Sequence, residues 1–172
     1  MLYPKNRQPY LFNLVGSHDT SRIMTIANER VERVMQAFAL LFTFAGSPCV
    51  LYGDEVGLTG EGMDKARRCM VWEEEKQNGE LKAFVKKMIK LREIYPEMKS
   101  TDMRFLHANE DGLVYAKGKL IVLLNNRNKS TTLPLPVKWA GNNAKDLLTG
   151  DIFSIKKTTR LSPYGLGIWE LL

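Results

Sequence analysis

Two short apolar runs, residues 10–16 and 48–53, are each followed by a longer segment with apolar residues at every third or fourth position. This alternation dictates what the first half of the chain can fold into. A continuous apolar run of that length reads as a strand buried on both faces, and the longer period reads as an amphipathic helix. The first helix is predicted to start after Asn28 as N-cap, with Glu29 and Glu32 in its first turn. It should bury Val31, Val34, Met35, Phe38 and Leu41 and end at Gly46. The second is predicted over residues 78–95, burying Leu81, Phe84, Val85, Met88, Leu91 and Tyr95, with Pro96 stopping it. Strand, helix, strand, helix is the pattern of parallel α/β structure, whose active sites gather at the C-terminal ends of the strands. His18-Asp19 and Asp54-Glu55 both fall at such ends, and a loop rich in glycine and charge, 57–68, follows the second.

The character changes near Pro96. Segments 103–107, 113–116, 120–124, 131–135, 144–148, 152–155, 158–161 and 166–171 read as short strands, separated by turn-forming residues at 109–112, 117–118, 149–150 and 163–165. Seven or eight short strands at this spacing suggest an antiparallel sandwich, a separate small domain. The expected division is residues 1–97 and 98–172.

Composition bounds the function classes. The chain is 44% hydrophobic and 26% charged, values ordinary for a globular protein. Its longest apolar run, 37–45, falls well short of the roughly 20 residues a membrane helix needs. The first five residues lack the apolar run of a signal peptide. Two cysteines, Cys49 and Cys69, form neither a C-x-x-C pair nor a disulfide framework, which favours a reducing compartment, most simply the cytoplasm. The net charge of +6 lies mostly in residues 99–172, which hold 11 basic and 6 acidic side chains. These cations are scattered rather than clustered, as expected of lysines that keep strand edges unpaired rather than of a nucleic-acid surface. His18 and His107 are far apart, no Cys/His spacing suits zinc, and no calcium loop is present, so no metal or other cofactor is expected. The glycine-rich 57–62 lacks the G-K-[ST] ending of a phosphate loop.

A His-Asp pair alone is often only a hydrogen-bonded structural pair. A second motif at the right distance changes its meaning. Asn13-Leu14-Val15-Gly16-Ser17-His18-Asp19-Thr20 resembles the seventh barrel-strand motif of the alpha-amylase superfamily, and residues 45–55, with Gly46, Pro48, Tyr52, Gly53 and Glu55, resemble its eighth. Downstream, Cys69-Met70-Val71-Trp72, Leu148-Thr149-Gly150 and Pro163-Tyr164-Gly165 are most similar to the neopullulanase, cyclomaltodextrinase and maltogenic amylase branch. The resemblance spans essentially the whole chain. It implies the last two βα units of a (β/α)8 barrel followed by a C-terminal antiparallel β-sandwich, an α/β plus all-β chain. It also implies a retaining glycosidase acting on α-1,4-glucosidic bonds of cyclodextrins, maltooligosaccharides or pullulan.

Retaining glycosidases need two carboxyl groups flanking the bond, roughly 5 Å apart, one to attack the anomeric carbon and one to protonate the leaving oxygen. The resemblance places both on earlier strands; nothing here matches either motif, so the chain alone is expected to be catalytically incomplete. By motif, Asp19 resembles the third carboxylate, which stabilises the transition state, and His18 the histidine that donates to neighbouring hydroxyls. Ser17 stands where many members have Asn. Asp54 and Glu55, adjacent in sequence, should point apart, and the resemblance makes Glu55 structural. Relatives carry an acid-Pro-x-x-Arg pattern in the loop after the eighth strand that contacts sugar. Asp64 and Arg67 are the nearest matches here, without the proline, and the plainer alternative is a solvated, mutually paired loop. Trp72 reads as a buried rim residue with sugar stacking as the alternative; Trp139 and Trp169 read as sandwich core. The expected partners are an α-glucan or cyclodextrin and the remainder of the barrel, with no nucleic acid or membrane. A quarter of a barrel leaves sheet edges and apolar faces uncovered, so self-association, element swapping or weak anchoring of residues 1–20 is expected. A reading of a different class is a carbohydrate-binding or assembly module without catalysis.

Overall fold

A computed structural model describes residues 3–172; Met1 and Leu2, the start of the first expected domain, lie outside the described residues. The chain divides into two compact units, Met1–Tyr95 and Pro96–Leu172.

In the first unit, strand β1 (Phe12–Leu14) pairs in parallel with β2 (Ser47–Cys49). Between them lie α1 (Ile23–Ile26) and α2 (Val31–Thr43), and after them α3 (Gly62–Ala66) and α4 (Gly79–Ile94). Helices α2 and α4 pack together, and Val34, Phe38, Leu41, Phe42, Leu81, Val85, Met88 and Leu91 are buried. Each such side chain contributes about 1.5–3 kcal/mol by leaving water. Asn78 caps α4 as expected of a short polar residue, its side chain accepting from Leu81 N at 2.9 Å. The carbonyls left open beyond the end of α2 are met by Arg92, whose guanidinium donates to Phe42, Phe44 and Gly46 O.

Several sequence expectations are corrected here. Both strands are three residues long, and β1 is not buried: Phe12 and Leu14, which share a face by the two-residue strand period, are 68% and 50% exposed, and Tyr10 in the 3-10 turn before them is 84% exposed. Apolar character does not reveal whether a partner surface covers it. Asn28 does not cap α2, which starts from Arg30. Asn28 and Glu29 take left-handed conformations (φ 55° and 57°), and the Glu29 amide closes back on Met24 O, so this pair terminates α1, a helix the sequence reading missed. Gly46 does not end α2, which stops at Thr43. Its φ of +99° and the place its Cβ would occupy, 2.5 Å from Leu11 O, allow the chain to turn tightly against β1. The 57–68 loop contains α3, and Trp72 is 79% exposed rather than buried.

The second unit is made of strands. β3 (Arg104–Ala108), β4 (Gly112–Lys117), β5 (Leu120–Asn125), β6 (Thr131–Pro134), β7 (Asn143–Asp146), β8 (Ile152–Ser154), β9 (Thr158–Leu161) and β10 (Leu166–Leu171) fall within one or two residues of the segments read from sequence. Six form an antiparallel sheet in the order β3-β4-β5-β10-β7-β8, and β6 pairs separately with β9. The β4–β5 hairpin turns on Gly118-Lys119, one residue later than expected, with φ +57° at glycine, the position where a two-residue hairpin favours it. Val114, Ala116, Ile121, Leu123 and Trp169 from the large sheet share one core with Leu133 and Ile155. Trp139 and Trp169 are both buried in it.

Candidate active site

One cluster of exposed polar residues of the first unit lies just beyond the end of β1. Gly16 leaves room there: a Cβ would lie 2.7 Å from Asp54 Oδ2, and that carboxylate would have to shift. The next residues fold into a tight turn. Ser17 Oγ accepts from the Asp19 amide at 3.2 Å, Ser17 O accepts from Thr20 N and Oγ1, and Thr20 Oγ1 accepts from Ser17 N. A serine or threonine folding its hydroxyl back onto a neighbouring amide is a common way to fix such a turn.

The turn presents His18 and Asp19 to solvent, their side chains 68% and 62% exposed. Both carboxylate oxygens of Asp19 are engaged. Oδ2 lies 3.2 Å from His18 Nε2, and Oδ1 accepts from Arg67 Nη2 at 3.0 Å. Arg67 Nε also donates to His18 O at 3.0 Å, so one guanidinium spans both residues. An ionised carboxylate offers about four lone-pair sites, leaving capacity for two more donors on a group open to solvent. Donors of that kind are what a sugar diol supplies.

Of the two loop residues singled out by sequence, Arg67 joins the cluster and Asp64 does not. Asp64 sits exposed on α3 and forms no ion pair among the described residues. Arg67 reaches across 48 positions to Asp19, and the same Nη2 lies 3.8 Å from Met63 Sδ within the loop.

Beneath the exposed cluster is a buried one that sequence reasoning overlooked. Arg22 is fully buried. Its Nε donates to Ala66 O at 2.7 Å, Nη1 donates to Tyr52 O and, at 3.2 Å, to Asp54 Oδ1, and its guanidinium lies 4.7 Å from the Tyr52 ring centroid. Arg22 Nη2 has no partner among the described residues. Tyr52 OH donates onward to Arg68 O at 2.9 Å. Burial pushes the Asp54 carboxyl above its ordinary range, outweighing the hydrogen bond and charge of Arg22, which act downward. Asp54 and Glu55 do point to different surroundings: Asp54 faces Arg22, while Glu55 Oε2 is buried without a partner among the described residues. The sequence carried no local signal for this cluster, because the partners of Arg22 lie 30 to 44 positions away.

Residues 4–130 match the alpha-amylase family, described as the alpha amylase catalytic domain. A cyclomaltodextrinase of Geobacillus thermopakistaniensis is 40% identical over 178 residues, covering 98% of this chain and 30% of the relative. Neopullulanase 2 of Thermoactinomyces vulgaris is 34% identical, covering 99% of this chain and 31% of its own length. A solved cyclomaltodextrinase structure superposes with a TM-score of 0.85 at 31% identity, covering 99% of this chain and 31% of that one. The chain thus spans about a third of the length of these relatives.

Proposed function

This chain belongs to the alpha-amylase family, and from that membership we propose that it is the C-terminal part of a retaining glycosidase. The enzyme would act on α-1,4-glucosidic bonds of cyclodextrins, maltooligosaccharides or pullulan. The first unit is then the last two βα units of a (β/α)8 barrel and the second a C-terminal β-sandwich. The parallel β1–β2 pair with its helices, and the wholly antiparallel second unit, support that assignment.

The observation that carries the reading is the His18–Asp19–Arg67 cluster at the C-terminal end of β1. In the proposed mechanism a carboxylate from the remainder of the barrel attacks the anomeric carbon. The glycosidic C–O bond breaks, and a second carboxyl, also from that remainder, delivers its proton to the leaving oxygen. Asp19 accepts hydrogen bonds from hydroxyls of the ring at the bond being broken. These bonds strengthen as positive charge builds on the ring, so they act on the transition state more than on bound substrate. His18 orients Asp19 and offers its ring nitrogen to the neighbouring hydroxyl; Arg67 fixes the other carboxylate oxygen and borders the sugar. The exposed apolar face of β1 is where the remainder of the barrel would pack, and in its absence the chain would self-associate through it. The free thiols of Cys49 and Cys69 fit a cytoplasmic setting.

The test is reducing-sugar release from β-cyclodextrin and maltohexaose, by the 172-residue chain and by the full-length parent. The expected result is no release by the chain, release by the parent, and a loss of at least about a thousandfold in parent kcat on Asp19→Asn. Release by the chain alone, abolished by Asp19→Ala, would mean that it holds a full catalytic set and is no fragment. An unaffected parent Asp19→Asn would remove Asp19 from the mechanism.

A further inference from the structure

The second unit contains a cleft of about 430 Å³ that no part of the glycosidase reading uses. It opens at two strand edges: among the described residues, β8 is the last strand of the six-stranded sheet and β9 pairs only with β6. Its volume lies within the range of small-molecule sites, roughly 300–1,000 Å³.

The chemistry of its walls is one-sided. Phe153 and Trp169 form an apolar wall, their rings edge-to-face with centroids 4.8 Å apart. The Trp169 indole N–H is already donated to Asp146 Oδ2 at 3.0 Å, so the ring offers the cleft only apolar surface. Of the β9 residues that line it, Thr158 and Arg160 share the exposed face while Thr159 turns inward, and the exposed Lys156 adds a second positive charge. No carboxylate lines the cleft, and among the described residues neither Lys156 nor Arg160 forms an ion pair. A site for a neutral glucan would offer an exposed ring face and carboxylates or amides as partners for hydroxyls. Here Trp169 is only 5% exposed, and the charged groups are all donors. Two unpaired cations beside hydroxyls and an apolar wall match an anion carried on a compact ring.

We propose that this cleft binds a phosphorylated hexose. The phosphate, with a charge near −2 at neutral pH and three acceptor oxygens, takes the Lys156 ammonium and the Arg160 guanidinium, which can grip two of its oxygens at once. The C–H face of the sugar lies against Phe153, which packs over the buried Trp169, and the Thr158 hydroxyl serves a ring hydroxyl. The site is separate from the His18–Asp19 cluster in residue content and does not depend on the catalytic reading.

The experiment is isothermal titration calorimetry of the full 172-residue chain with glucose 6-phosphate, with glucose, and with inorganic phosphate. Saturable binding of glucose 6-phosphate is expected, with glucose and phosphate each at least tenfold weaker. Arg160→Ala and Lys156→Gln should each weaken binding at least tenfold while leaving the thermal midpoint unchanged; Asp19→Asn should leave it intact. Both cations are solvent-facing, so at least one variant will fold. Inorganic phosphate binding as tightly as the sugar phosphate would overturn the proposal, as would glucose binding equally well. So would an unaltered affinity in both cation variants, or no binding at all, which would leave these cations as guards of a free strand edge.

Discussion

Replacing Arg22 by alanine should be among the most damaging single changes in the first unit, and its cost should depend on pH. The substitution removes hydrogen bonds to Ala66 O, Tyr52 O and Asp54 Oδ1 and the cation's contact with the Tyr52 ring. It leaves Asp54, 1% exposed, with a buried carboxylate and no counter-charge. Breaking a buried pair from one side costs about 3–5 kcal/mol. Burial already raises the Asp54 carboxyl above its ordinary value near 3.8, and the two influences pulling it down both come from Arg22, so removing Arg22 raises it further. A carboxyl whose folded pKa exceeds its unfolded one favours the fold below the unfolded value, and this contribution is lost as pH rises through the folded value. The penalty in Arg22→Ala is therefore largest at pH 8 and shrinks toward pH 4 as Asp54 takes up a proton, by at most about 1.4 kcal/mol per pH unit. The double variant Arg22→Met, Asp54→Asn carries no buried charge and should lie within about 2 kcal/mol of the unmodified chain. Urea unfolding followed by far-ultraviolet circular dichroism at pH 5 and pH 8 measures all of this. A cost for Arg22→Ala below about 1 kcal/mol at pH 8, or the same cost at both pH values, would refute the reasoning.

Three other perturbations separate what is built in from what is merely adjacent. Gly46→Ala meets a positive φ and the Leu11 carbonyl together, and should destabilise by more than about 1 kcal/mol; the urea midpoint reports it. Asn78→Ala removes the side-chain cap of α4 and should cost about 1 kcal/mol, with Asn78→Ser restoring most of it in the same assay. Arg67→Ala breaks an ion pair between groups 50% and 62% exposed, so thermal unfolding should move by less than 1 kcal/mol equivalent; a larger loss would show that Arg67 holds the loop rather than the carboxylate.

The second unit was legible strand by strand because its signals are local. The short apolar runs at 113–116 and 120–124, and Gly118 at the turn between them, each act within a few residues, and antiparallel neighbours are joined by such turns. In the first unit the two long helices, α2 and α4, were legible for the same reason, and Asn78 could be named as the start of α4. The failures there concern what apolar or charged residues face. Phe12 and Leu14 read as buried because nothing in a strand's own sequence states whether its second face is covered. Asn28 serves equally as a cap or as a left-handed terminator, and the choice depends on α1, four residues too short to announce itself by periodicity. In the candidate site, His18 and Asp19 were named from motif, and the structure sets their side chains 3.2 Å apart. The Arg67 contact was visible only as a loop residue of the right type, and Arg22 not at all, since its partners Ala66, Tyr52 and Asp54 lie 30 to 44 positions away.

Those distant partners have a consequence for how the site can vary. Segment 17–25 and segment 60–68 are tied at many points: Arg22 N to Gly60 O, Gly60 N to Thr25 Oγ1, Gly62 N to Ser21 Oγ, Arg22 Nε to Ala66 O, and Arg67 to both His18 O and Asp19. The ties flank α3 on both sides, so the spacing between Gly60 and Arg67 sets where the guanidinium falls relative to Asp19. A residue added in α3 would rotate Ala66 and Arg67 together by about 100° around the helix axis, so the tie from Arg22 Nε to Ala66 O and the tie from Arg67 to Asp19 Oδ1 would both break. Substitution of exposed α3 residues such as Asp64 carries no such penalty, because that face makes none of the ties. The geometry thus allows the loop to change its outer chemistry freely and its length hardly at all, which confines tuning of any sugar contact there to side-chain identity.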